Sequence, residues 1–173
     1  MPAGSTALVS PAAAVQFLGM KPEVGMLAPE FAARVVDAQG SADFALADLR
    51  GEKVVLVFYP KDATPGCTTQ ACAMRDGWDD LGNKARVYGV SVDDEASHAR
   101  FIQKEDLPYP LIVDTDKKIV EAYGVWVEKS MYGRSFMGTE RTTFIIDEEG
   151  IITAILSKVR PKEHFAKVLE ALS

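Results

Sequence analysis

The chain has two cysteines, Cys67 and Cys72, and both lie in one stretch, YPKDATPGCTTQACAMRD, from Tyr59 to Asp76. Two thiols separated by four residues leave two readings open. They are small buried hydrophobes, a common state of free cysteine, or they cycle between dithiol and disulfide. Pro60 and Pro65 restrict the loop after Tyr59, Gly66 permits a tight turn, and Cys67 then falls at or near the first turn of a helix. There, unpaired N–H groups and the positive end of the helix dipole favour an anion. A thiol so placed shifts from its reference pKa of about 8.5 towards the nucleophilic thiolate. Thr64 adds a hydroxyl to the same loop, able to donate to a bound oxygen.

Cys72 lies five positions after Cys67. In a continuous helix that spacing gives a Cα separation of roughly 8–9 Å and a rotation of about 140°. A disulfide needs Cα atoms within about 6.8 Å and converging Cβ vectors. Either the two thiols never pair, or the helix between them unwinds during a cycle.

The rest of the composition narrows the class. At 173 residues the chain fits one domain with a real core. Hydrophobic residues at 47% and charged residues at 25% are ordinary for a soluble globular protein. A net charge of −6 without a basic patch argues against nucleic acid, and no apolar run reaches the roughly 18 residues of a membrane span. Two cysteines are too few for a disulfide scaffold or a structural zinc site, and His98 and His164 lie far off without ligand spacing.

The elements that must position the thiols follow from the pattern. Residues 1–20 hold no charged side chain. They form a poor signal peptide and read as a loosely ordered extension or a short arm packing through Val15, Phe17 and Leu18. A domain over residues 21–173 follows. Phe31 to Asp37 and Ala42 to Ala45 predict a hairpin. Lys53 to Tyr59 and Arg86 to Val92 predict strands buried on both faces. Helices are expected over Cys67 to about Leu81 and Asp94 to Lys104. Tyr109 to Val113 reads as a strand and Asp116 to Tyr123 as a short helix. A loop rich in Gly, Met and aromatics runs from Gly124 to Gly138. Thr142 to Asp147 and Ile151 to Leu156 form a hairpin, and Pro161 opens a closing helix through Leu172. This order fits an α/β thioredoxin-like fold, a central mixed sheet flanked by helices with an N-terminal hairpin.

The spacing Pro60, Thr64, Cys67 resembles the Pro-x-x-x-Thr-x-x-Cys motif of the peroxiredoxins. The longer run from Phe58 to Cys72 is similar to the bacterioferritin-comigratory-protein, or Q-type, branch. Val24 to Phe31, Gly89 to Asp93, and Arg141 with the following Thr-Thr-Phe-Ile-Ile-Asp agree with it, so the resemblance covers about residues 21–172. It implies a thiol peroxidase for hydrogen peroxide and organic hydroperoxides. Cys67 would be the peroxidatic cysteine and Cys72 the resolving one, joined in an intrachain disulfide. Thr64 would bind the peroxide and Pro60 would shield the thiolate. Arg141 would stabilise the thiolate and polarise the peroxide, and the backbone N–H groups of Gly66 and Cys67 would complete the cradle. A thioredoxin or glutaredoxin-like reductant would recycle a monomeric, cytoplasmic enzyme that holds no metal, haem or flavin. A thiol-based redox sensor or holdase on the same fold could use the same cysteines.

Other residues take structural readings. Ser91 is expected to be a satisfied hydroxyl, and His98 and His164 to lie on solvated helix faces. Arg75 and Asp76 either anchor the cysteine helix or sit in solvent. Trp126, Met131, Tyr132, Phe136 and Met137 are expected to pack near the active-site mouth, with the Gly124–Gly138 loop setting peroxide access. Asp114 to Asp116 lacks the glycine and terminal glutamate of a calcium loop.

Overall fold

Val54, Val55, Leu56, Val57 and Phe58 are all buried, as a β-branched and aromatic run requires when both faces of a strand are covered. In the computed structural model, which describes residues 21–173, this strand sits near the middle of the sheet. The expected extension over residues 1–20, with Val15, Phe17 and Leu18, lies outside the described residues.

Among the described residues, β1 (Ala32–Asp37) and β2 (Gly40–Ala45) come first as the expected hairpin, then a short 3-10 turn over Leu46–Leu49 and β3 (Val54–Phe58). The cysteine helix α1 spans Pro65–Asp76 and is followed by one turn, α2 (Trp78–Leu81). Next come β4 (Arg86–Ser91), α3 (Glu95–Glu105), β5 (Leu111–Val113) and α4 (Lys118–Ala122). The chain ends with β6 (Trp126–Met131), β7 (Arg134–Thr139), β8 (Thr142–Ile146), β9 (Ile152–Ser157) and α5 (Pro161–Leu172). Seven strands form one mixed sheet in the order β2-β1-β5-β4-β3-β8-β9, parallel between β3, β4 and β5 and antiparallel elsewhere.

The period-two alternation of β3 divides the core. Val55 and Val57 join Cys67, Ala71 and Met74 of α1, Phe101 of α3 and Val168 of α5. Leu56 and Phe58 join Ile119, Val120 and Tyr123 on the opposite face. Asp114, in the stretch without calcium-loop features, instead holds α4: its carboxylate accepts from the N–H groups of Ile119 at 3.0 Å and Val120 at 2.8 Å.

The helical character expected over Cys67 to about Leu81 is present as two helices, α1 and α2, parted at Gly77, where the ring of Phe165 from α5 fills the position of a side chain. A Cβ at Gly77 would meet Phe165 Cζ at 2.0 Å. The Gly124–Gly138 loop is a β-hairpin, β6 paired with β7 in its own two-stranded sheet. Tyr132 and Gly133 turn it with φ of 53° and 78°, both left-handed, the geometry of a two-residue hairpin turn. Its Gly, Ser and charged residues hide the strand pattern, and its turn lacks an Asn-Gly or Asp-Gly signal. Met131, Tyr132, Phe136 and Met137, expected to be packed, are exposed.

Gly77→Ala tests the α1–α5 packing. Gly77 lies between the two helices, so the added methyl gains no interior helix propensity, and it collides with Phe165. A net loss of about 1–3 kcal/mol is expected in urea unfolding, and an unchanged midpoint would show that α5 does not need this gap.

Candidate active site

Cys67 is the third residue of α1, after Thr64 at the N-cap and Pro65 at the first helical position. Proline suits that position because its missing N–H would have no helical partner there. The first intrahelical bond runs from Thr68 N–H to the Thr64 carbonyl at 2.8 Å. The N–H groups of Gly66 and Cys67 therefore have no partner within the helix and mark its electropositive end. The left-handed residue of this loop is Ala63, whose φ is 62°, and not Gly66. Gly66 is needed for space instead: a Cβ there would lie 3.2 Å from Arg141 Nη2 and 3.5 Å from Pro161 Cγ.

That space lets Arg141, immediately before β8, reach the thiol. Arg141 Nη2 donates to Cys67 Sγ at 3.4 Å, while Nη1 donates to Gln70 Oε1. Gln70 lies three residues after Cys67, on the same face of α1. Cys67, only 2% exposed, lines a cavity of about 10 Å³ together with Tyr59, Gln70, Phe101 and Tyr109. That cavity holds no more than about one water, so it is no route for a peroxide. Lys129 of β6 also lies within the field of Cys67 and Arg141. Burial first, then Arg141, draws its pKa down, and Cys67 and Glu140 oppose this.

Thr64 and Pro60 flank this site. Thr64 is half-buried, and its hydroxyl donates to the Lys61 carbonyl at 2.9 Å. Its lone pairs, rather than the proton expected from sequence, are left for a ligand. Pro60 is half-buried at the end of β3. Cys72 sits further along the unbroken helix, also a free thiol. Its Sγ donates to Glu105 Oε1 of α3 at 3.3 Å.

Residues 24–155 match the AhpC/TSA family. Peroxiredoxin Bcp of Bacillus subtilis is 40% identical over 87% of this chain and 94% of the relative. Peroxiredoxin Bcp of Escherichia coli is 37% identical over 87% and 95%. The chain belongs to the AhpC/TSA family. Among solved structures, a cysteine-to-serine variant of Xylella fastidiosa PrxQ has a TM-score of 0.81 at 31% identity, covering 89% of this chain and 97% of that one. Peroxiredoxin Q of Xanthomonas campestris has a TM-score of 0.74 at 35% identity, covering 80% and 88%. The fold is thioredoxin-like, and this peroxiredoxin is a thiol peroxidase, acting on peroxide and depending on a thiol reductant.

Several residues of the peroxiredoxin site escaped sequence reasoning. Gln70 carries a readable signal, since a residue three after Cys67 shares its helix face. Asp62 carries none. It is buried in the loop between β3 and α1, where its carboxylate accepts from Tyr59 Oη at 2.6 Å and Ser97 Oγ at 2.8 Å, and meets His98 Nδ1 at 2.7 Å. This network ties the cysteine loop to α3. Burial, then Asp62, raises the Tyr59 phenol well above its ordinary range, so it stays a donor.

Both histidines, expected in solvent, are buried. His98 Nε2 lies 2.9 Å from the Ile112 carbonyl, and His164 Nε2 lies 2.6 Å from Thr143 Oγ1. Their neighbours reveal the reason. Phe101 and Ile102 follow His98 at three and four residues, and Val168 and Leu172 follow His164 at four and eight, so each ring occupies the core-facing stripe of its helix. Ser91, by contrast, is satisfied as expected, donating to Asp93 Oδ2 at 2.6 Å.

His164 makes stability pH-dependent. Burial, then Arg141, lowers its pKa from 6.5 to about 4. Between these values the unfolded chain binds the extra proton, so this contribution is complete above about pH 6.5 and is lost as pH falls towards 4. From pH 7.5 to 4.5, the wild type should lose about 2 kcal/mol more than His164→Gln in urea unfolding. Parallel pH profiles would show that His164 does not couple to folding.

Proposed function

We propose that Cys67 is the peroxidatic cysteine and Cys72 the resolving cysteine of this thiol peroxidase. The observation supporting this most directly is Arg141 Nη2 at 3.4 Å from Cys67 Sγ, in the first turn of a helix. A guanidinium keeps its charge across the working pH range, so it pairs with an anionic sulfur. Gln70 holds the other guanidinium nitrogen and fixes the direction of this contact.

In the first step the Cys67 sulfur attacks the terminal oxygen of ROOH. The S–O bond forms, the O–O bond breaks, and the RO⁻ released takes a proton to leave as water or an alcohol. Arg141 and the N–H groups of Gly66 and Cys67 stabilise the negative charge passing to the leaving oxygen. The Thr64 oxygen, its own proton held by the Lys61 carbonyl, accepts the peroxide hydrogen. Pro60 covers the sulfur from bulk water. In the second step the Cys72 sulfur displaces the hydroxyl of the Cys67 sulfenic acid, giving the disulfide and water. A dithiol reductant then exchanges with that disulfide.

A thioredoxin or glutaredoxin-like protein suits this last step, in a reducing compartment such as the cytoplasm. With both thiols on one chain, a monomer completes the cycle. Organic hydroperoxides join hydrogen peroxide as substrates. In support, work on the Xanthomonas campestris bacterioferritin comigratory protein concerns its alkyl peroxide reduction activity.

Steady-state peroxide consumption with thioredoxin and its reductase tests the assignments. Cys67→Ser should abolish consumption. Cys72→Ser should reduce one equivalent of peroxide and then stop with thioredoxin. Arg141→Leu should slow the peroxide step by roughly 100-fold. Normal thioredoxin-driven turnover of Cys72→Ser would overturn the resolving assignment.

A further inference from the structure

We propose that Glu105 is a latch on the resolving thiol, pinning Cys72 and the second half of α1 against α3 and so setting how fast the disulfide forms. This rests on the reading of Cys72 as the resolving cysteine. Cys72 Sγ donates to Glu105 Oε1 at 3.3 Å, and Arg75 Nη1 donates to the Glu105 carbonyl at 2.6 Å. Cys72 and Arg75 are three residues apart on α1, so one helix face grips a single residue through both its side chain and its backbone. The Arg75 guanidinium also approaches Glu105 Oε1 at 4.0 Å and is oriented by Asp76 at 2.9 Å. The gripped residue is the last of α3, where the chain leaves the helix through Asp106 with a left-handed φ of 53°. Glu105 is therefore held from its own side as well, and its side chain is 17% exposed.

The latch opposes resolution in two ways. Disulfide formation requires Cys72 to leave Glu105, because the intact helix keeps the two sulfurs apart. It also needs the sulfur without its proton: the S–S bond forms, the S–O bond of the sulfenic acid breaks, and the thiol proton leaves with the hydroxyl as water. Among the charged groups facing the thiol, Glu105 from α3 and Asp76 from α1 disfavour the thiolate and Arg75 favours it. Burial first and then the Glu105 hydrogen bond raise the Cys72 thiol above its ordinary pKa. While Cys72 is latched, the sulfenic acid on Cys67 remains in the folded site. A second peroxide can then convert it to sulfinic acid, which the dithiol reductant does not reverse. The strength of one contact thus divides each turnover between recycling and inactivation.

The test uses the full chain with hydrogen peroxide and a thioredoxin system. Mass spectrometry reads Cys67 sulfinate per turnover. Iodoacetamide labelling of Cys72 in a Cys67→Ser background reads the thiol across pH. Glu105→Gln keeps an acceptor oxygen but removes its charge, and it should lower sulfinate per turnover by roughly threefold to tenfold, the range for a hydrogen bond that loses its charge assistance. It should also speed Cys72 labelling and move its pH midpoint down. Glu105→Asp keeps the charge but withdraws the carboxylate by one methylene, and it should lower the sulfinate yield as well. Wild-type sulfinate yield and labelling in both variants, with the Cys67–Cys72 disulfide still forming, would overturn the latch alone. If the wild type forms no such disulfide, the resolving assignment fails and the latch falls with it.

Discussion

Five residues of α-helix hold two Cα atoms roughly 8–9 Å apart, while a disulfide needs them within about 6.8 Å. Cys67 and Cys72 sit on one unbroken helix, Pro65–Asp76, so this conflict governs the rest of the molecule. In the proposed cycle the folded helix is the form that reacts with peroxide, because its N-terminus places the Cys67 sulfur beside Arg141, and the opened helix is the form that resolves. A single segment has to be stable enough for the first state and weak enough to reach the second, which means its anchors must be local and breakable.

The packing of α1 fits that requirement unevenly. Its inner face, through Cys67, Ala71 and Met74, lies on the strand pair β3 and β4 with Phe101 and Val168. Its ends are restrained by polar contacts: Asp62 with Tyr59, Ser97 and His98 before the helix, and Arg75 with Glu105 near its close. Beyond it, Gly77 admits Phe165 and separates α1 from the single turn of α2. This break leaves α1 as a twelve-residue unit bounded on both sides, rather than part of a longer rigid rod. The partly exposed Arg75–Glu105 contact can exchange with water at small cost, whereas the buried Asp62 network and Met74 resist any wider loss of structure.

Much of this was legible in the residues. The buried strands announced themselves by β-branched runs, the closing helix by Pro161, and the reactive turn by Pro65-Gly66-Cys67 at a helix start. The misses have a common physical origin: local sequence does not report what long-range packing does with polar groups. His98 and His164 look like surface residues until their neighbours one and two turns on place them on core stripes, where Asp62 meets His98 Nδ1 and Thr143 meets His164 Nε2. The β6–β7 hairpin interleaves Gly, Ser and charged residues with Met and aromatics, with no β-branched run to mark it. Asp62 meets Ser97 and His98 across 35 and 36 residues, and Glu105 meets Cys72 and Arg75 across 33 and 30. Gln70 alone among the missed site residues could have been found by spacing, since its helix face is that of Cys67.

The most direct test of the conflict between helix and disulfide is amide hydrogen exchange over residues 66–76, compared between the reduced protein and the form oxidised by one equivalent of peroxide. Slow exchange in the reduced helix, lost across the Cys67–Cys72 segment in the disulfide form, is the predicted result. Equal protection in the two forms, with the Cys67–Cys72 link confirmed by non-reducing peptide mapping, would contradict it.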